Sequence, residues 1–224
     1  MSDSGSWIEI ILLAMLAGFI GLRLVSVLGR RTGAERPAGE PYRAGQAEVL
    51  TPQPRLGETR PRAQIELPAG TEASLAPELQ RIAEADHSFD AVRFVDGAKG
   101  AYGMILDAFW KGDAAALHGL MSDEVQAQFS RAIADRKAAG QVLENQLVRI
   151  NGAGITAAQM IGQMAEVTMQ FNADIVAVTR DASGNIVSGS TSDAIANIDI
   201  WTFSRHVGSQ DPNWLLIATD DLSA

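Results

Sequence analysis

For residues 78–224 the sequence predicts an α+β domain, with helices packed on one face of a curved antiparallel sheet. Two observations lead there. Apolar residues recur every three or four positions between Leu79 and Gly140, and beyond Gly140 the period drops to two. A third observation sets the domain apart from what precedes it: seven of the eight prolines fall in residues 29–77, and none falls in residues 78–211.

The helical part has four segments. Pro77–Asp86 places Leu79, Ile82 and Ala83 on one side. From Phe89 to Lys111, the residues Ala91, Phe94, Val95, Ala98, Tyr102, Ile105 and Phe109 form a continuous apolar stripe. Gly97, Gly100 and Gly103 interrupt this helix at a cost of about 1 kcal/mol each relative to alanine. Spaced by three, they read either as a strip packed tightly on the sheet or as a bare approach for an apolar ligand. Lys111-Gly112-Asp113 ends the helix and caps a further short one, AAALHGLM. Ser122 is the N-cap of the last helix, with Asp123 and Glu124 complementing its dipole, Val125, Phe129, Ala132 and Ile133 on its apolar side, and Gly140 as its end.

The strands follow. In residues 165–175, Ala165, Val167, Met169, Phe171, Ala173 and Ile175 alternate with Glu166, Thr168, Gln170, Asn172 and Asp174. That is the pattern of a sheet covered on one side. An earlier strand runs over Val142–Ile150, breaks at Asn151-Gly152, and resumes towards Met160. Asp181–Gly184 is a turn. Ala194–His206 and Trp214–Thr219 complete the sheet, which curves around the helices into a cone with an apolar mouth.

Ahead of the domain lie two segments of different character. Trp7–Leu28 is twenty-two residues of mainly apolar chain, roughly 33 Å as a helix and long enough for a bilayer core. Glu9 and Arg23 sit near its ends, where headgroups are within reach. The leader MSDSGS is acidic, whereas Arg23, Arg30 and Arg31 follow the apolar run, opposite to a cleaved signal peptide. The positive-inside rule then puts the N-terminus outside and residues 29–224 in the cytoplasm, on a single-pass anchor formed by residues 1–28 in a bacterial inner membrane. Residues 29–77 mix Pro, Gly, Arg and Glu without periodicity and read as a flexible linker, with a root-mean-square reach of roughly 35–40 Å.

Composition removes several function classes. The formal charge of −9 resides in residues 78–224, which carry ten basic and nineteen acidic side chains. This disfavours nucleic acid as a partner. With no cysteine there is no disulfide, thiolate metal site, iron–sulfur cluster or cysteine nucleophile. His87, His118 and His206 stand too far apart in sequence for a metal motif, and GAGIT at Gly152–Thr156 lacks the lysine and spacing of a phosphate-binding loop. No cofactor is expected.

Phe94–Gly140 contains a GAKGAY segment, and Trp201–Thr219 reads WTFSRHVGSQDPNWLLIAT. Together these resemble the C-terminal domain of the mitochondrial inner-membrane translocase scaffold subunit, which tethers the import motor's chaperone. The resemblance is greatest to the alphaproteobacterial branch, the TimA family, and covers about residues 89–222. It implies an NTF2-like cone with an apolar cavity and a non-enzymatic adaptor role at a membrane. The long charged N-terminal region through which the mitochondrial relative holds its chaperone has no counterpart here. Leu79–Asp86 is acidic, unlike the membrane-surface helices of that relative, so chaperone tethering is not carried over.

Two uses of the cone follow. As an adaptor, it binds a protein partner or a lipid tail in a pocket formed by Phe94, Gly97, Gly100, Tyr102, Phe109, Phe171, Trp201, Phe203 and Trp214. As an enzyme of isomerase or dehydratase type, it needs a base in that pocket, with Asp107, His118, Asp174, Asp199 and Tyr102 as candidates. Asp199 shares a strand face with Trp201, Phe203 and Arg205. Asp199 and Arg205 either bracket an aromatic floor or form a cross-strand ion pair. The adaptor reading is preferred, with no catalytic residue assigned.

Overall fold

The computed structural model describes residues 65–221; the expected span Trp7–Leu28 lies outside them. Among the described residues no helix is long and apolar enough to cross a membrane.

After a 3-10 turn at Ala73–Leu75, three helices follow: α1 (Ala76–Ala85), α2 (Ala91–Lys111) and α3 (Asp123–Ala138). Pro77 sits in the first turn of α1, where its missing N–H costs nothing, and Leu79 and Ile82 are buried. The side chain of Asp90 caps α2 by accepting from Arg93 N at 2.9 Å, and Gly112 closes the helix in the left-handed conformation. The buried residues of α2 are Ala91, Phe94, Val95, Ala98, Tyr102, Ile105 and Ala108. Ser122 caps α3 as its sequence predicts, accepting from Val125 N at 3.3 Å.

The strands are β1 (Val142–Leu143), β2 (Gln146–Ile161), β3 (Met164–Arg180), β4 (Ile186–His206) and β5 (Leu215–Asp221). All pairings between them are antiparallel, in the order β1-β3-β4-β5, with β2 beside β1 on the same side of β3. Every alternate residue of β3 from Ala165 to Ile175 is buried, the alternation read from the sequence. Register shifts at three places in β2 and two in β3–β4 bend the sheet around the helices, as bulges do.

Four differences from the sequence reading have local causes. Ile65 and Leu67, placed by proline content in a linker ending at residue 77, pack against the core. Ile65 N–H also donates to Gln80 Oε1 at 3.0 Å, so ordered chain begins ahead of the proline boundary. Residues 114–120 form turns instead of a helix. There Gly119 takes φ +78°, and Leu216 exchanges backbone hydrogen bonds with Leu120 and Ser122, drawing the chain onto the sheet. The expected break at Asn151-Gly152 is absorbed as a register shift inside one continuous β2. Finally, β4 begins at Ile186, eight residues earlier than its apolar pattern indicates, because Ser188 and Gly189 pair with Thr179 and Val178.

Candidate functional site

Six of the nine residues expected around a pocket come together, as a packed core. Between α2 and the sheet, Tyr102 stacks on Phe171 at 4.4 Å with an interplanar angle of 15°, and leans on Trp201 at 4.8 Å. Phe94 meets Trp214 edge-on at 4.9 Å and Phe203 at 6.0 Å. Phe89, which sequence reasoning left out, closes the cluster against Phe94 and Trp214. Phe109 stands apart from it, in an edge-on contact with Phe129 at 5.2 Å. Tyr102 and Phe171 are fully buried, and Trp201 and Phe203 nearly so.

The glycines do not belong to that interface. Among the described residues a methyl group added to Gly97 or Gly100 would meet nothing within 4 Å, and both residues are exposed. Gly103 touches only the side chain of Leu147, at 3.7 Å from such a methyl. Neither a tight helix–sheet seam nor a ligand strip between helix and sheet is formed by Gly97 and Gly100. They lie off the apolar stripe, on the solvent side of α2.

Asp199, Trp201, Phe203 and Arg205 do share the helix-covered face of β4, opposite Phe171, Met169, Val167 and Ala165 of β3. The two charged residues bracket the aromatic floor and take separate partners, so they are not an ion pair. Tyr102 Oη and Asn197 Nδ2 both donate to Asp199 Oδ2, each at 2.5 Å. Arg205 Nη1 lies 2.5 Å from Asp86 Oδ2 and 3.0 Å from Ser88 Oγ, and Nε donates to the carbonyl of Asp211 at 3.0 Å. Asp86 and Arg205 are both buried. Asp86 was passed over in the sequence, although it directly follows the last apolar turn of α1.

The other candidate bases serve surface roles. Asp107 pairs with Lys111 at 2.8 Å on the exposed side of α2. Asp174 receives Arg149 Nε and Asn151 Nδ2, each at 2.8 Å. His118 is exposed, 3.4 Å from Gln126. At the far end of α2, Arg136 Nη2 donates to the carbonyls of Phe109 and Trp110, and Lys137 Nζ to that of Gly112. Burial pushes the Arg136 guanidinium below its ordinary value. At the β3–β4 turn, the hydrogen bond from the Asn185 side chain holds the Asp181 carboxyl below the usual range, with backbone N–H donors adding to it. Among the described residues no group of three or more His, Asp and Glu side chains is placed to hold a metal ion.

A groove of about 790 Å³ opens elsewhere, and none of the pocket residues expected from the sequence lines it. One wall is the chain from Glu66 to Gly70. The other is Gly152–Thr156 of β2, and Val92, Asp96 and Lys99 of α2 close one end. Sequence reasoning weighed Gly152–Thr156 only as a phosphate loop; its role is a bulged strand that lacks side chains at two positions along the groove.

Three solved structures are similar to the chain at low identity. The intermembrane-space region of the chloroplast protein ARC6 is 12% identical with a TM-score of 0.42, covering 58% of this chain and 97% of its own. A conserved protein from Planctomyces limnophilus is 16% identical with a TM-score of 0.32, covering 56% and 94%. A protein of the NTF2-like family from Streptomyces avermitilis, proposed to be a dehydratase, is 14% identical with a TM-score of 0.31, covering 57% and 93%. No curated protein matches the chain. Residues 75–221 match the Tim44-like domain, from the turn before α1 to the last residue of β5. The chain therefore belongs to the Tim44-like domain family.

Proposed function

We propose that the protein is a membrane-anchored adaptor of the alphaproteobacterial TimA branch, acting in protein translocation or membrane-protein assembly. In this reading residues 7–28 span the bacterial inner membrane with the N-terminus outside. The NTF2-like cone stands on the cytoplasmic side and engages a protein partner. The Tim44-like match over residues 75–221 supports a scaffold role. One observation carries the choice of adaptor over enzyme: the space where a cone enzyme keeps its substrate is filled by Tyr102, Phe171, Trp201 and Phe203. Asp199, the best-placed acidic candidate, accepts two hydrogen bonds there.

Topology and function are tested separately. Protease added to spheroplasts should spare residues 29–224, and the same protease should digest them in inverted inner-membrane vesicles. Release by carbonate sinks the span. In cells, Asp199→Asn combined with His118→Ala should leave the cross-linked partner set and the phenotype intact. Loss of the phenotype with fold and partners unchanged would favour catalysis in the cone.

A further inference from the structure

The segment from Ile65 to Glu72 crosses β2 where β2 has no side chain. A methyl group on Gly154 would lie 2.6 Å from the carbonyl oxygen of Gly70, so that oxygen occupies the space a side chain would need. Gly70 itself takes φ +81°, and Thr71 N–H closes the bend on the carbonyl of Pro68 at 3.1 Å. The segment is held by Ile65 and Leu67 against the core, by buried Pro68, and by the Ile65–Gln80 hydrogen bond. Against this stands a penalty: Thr71 Oγ1 is buried with no hydrogen-bond partner among the described residues. A buried unmade hydrogen bond opposes closure.

The strand it crosses is an edge of the sheet among the described residues. β2 runs for sixteen residues, pairs with β3 on one side, and among the described residues has no strand on the other. An edge of that length is a template for strand addition unless something covers it. We infer that residues 65–72 are a displaceable strap that crosses β2 at Gly154 and walls the groove, opening as a local unit while the helices and β3 stay folded. Closure depends on the absence of a side chain at residue 154. Opening is favoured by the unsatisfied hydroxyl of Thr71. The inference is independent of where the membrane lies.

Hydrogen exchange on the full chain, read by mass spectrometry, tests it with two substitutions of opposite sign. Gly154→Ala should speed exchange of the amides of residues 66–71 about tenfold, because the added methyl pushes Gly70 away. The amides of β2 around residue 154 should follow, while those of α2 and β3 keep the parent's rates. Thr71→Val removes the orphaned hydroxyl at nearly constant volume and should slow exchange in the same segment. The inference is overturned if Gly154→Ala leaves residues 66–71 at the parent's rate, if the β2 amides do not respond, or if protection is lost throughout the domain. Faster exchange in Thr71→Val also overturns it.

Discussion

Arg205 of β4 and Asp86 at the end of α1 form a buried ion pair 2.5 Å long, joining the end of the first helix to an inner strand of the sheet. Ser88 and the Asp211 carbonyl take further donors of the guanidinium, and Ser88 also donates to Asp86 at 2.6 Å. Removing one partner leaves the other charge buried without compensation. Asp86→Leu should therefore cost about 3–5 kcal/mol, whereas the double variant Asp86→Leu/Arg205→Met should recover much of the loss. Denaturant titration of the four proteins closes the cycle. Additive losses would show that the pair is not coupled.

Tyr102→Phe isolates the second anchor. It keeps the stacking on Phe171 and Trp201 but removes the hydroxyl donor to Asp199, for an expected loss of about 1–2 kcal/mol. Partner cross-linking should not change. An unaltered stability curve would mean that the hydrogen bond contributes nothing net.

These anchors mark where sequence reading stops. The alternation of β3 is local, and so were the shared face of Asp199 and Arg205 and the cap at Ser122. Partner choice is not local: Asp86 and Arg205 are separated by 119 residues, and Tyr102 and Asp199 by 97. Strand ends were lost for a related reason. Residues 188–193 read SGSTSD, in which Thr191 alone favours a strand, and the pairing of Ile186, Ser188 and Gly189 with β3 carries β4 back to residue 186. The groove at Gly152–Thr156 depends on a crossing by residues 66–70, which a reading by composition assigns to linker.

For Gly97 and Gly100 the signal was present, because both fall off the stripe that runs from Ala91 to Ile105. Each lies in helical backbone with open space where a side chain would go. Gly97→Ala and Gly100→Ala should each raise stability by about 0.5–1 kcal/mol, and the pair should add. Thermal unfolding of the single and double variants checks this. Destabilisation would mean that something in the intact protein approaches that side of α2.

Asp181 provides a pH-dependent element in the β3–β4 turn. Its carboxylate accepts from Asn185 Nδ2 at 3.2 Å and from the backbone N–H groups of Ser183 and Asn185. These bonds hold its folded value below the unfolded one. The stabilisation is therefore present above the unfolded carboxylate value of about 4 and is lost as pH falls through the lower folded value. NMR titration of the turn amides should show loosening at acid pH in the parent. The same shift should be absent in Asp181→Asn, whose turn should not titrate.

Gly189 sets the opposite limit on glycine replacement. Its φ is +84°, a region that side chains rarely adopt, and a methyl there would lie 1.9 Å from the carbonyl oxygen of Ala177 and 2.8 Å from its carbon. Both obstacles are backbone, so no rotamer relieves them. The residue sits opposite Val178, where the β3–β4 register shifts, and Val178 is itself buried. Gly189→Ala should therefore unpair residues 178–180 from 186–189, at a cost exceeding the roughly 1 kcal/mol of an ordinary helical glycine change. The helix-covered half of the sheet, from Ala165 to Phe171, should keep its register with β4. Amide exchange resolved along β3 and β4 distinguishes the two halves: loss of protection confined to Thr179 and to Ile186–Gly189 is the expected pattern, since Val178 N–H donates to Asn145 Oδ1. Parent-like protection throughout would show that the chain can reroute around the added carbon.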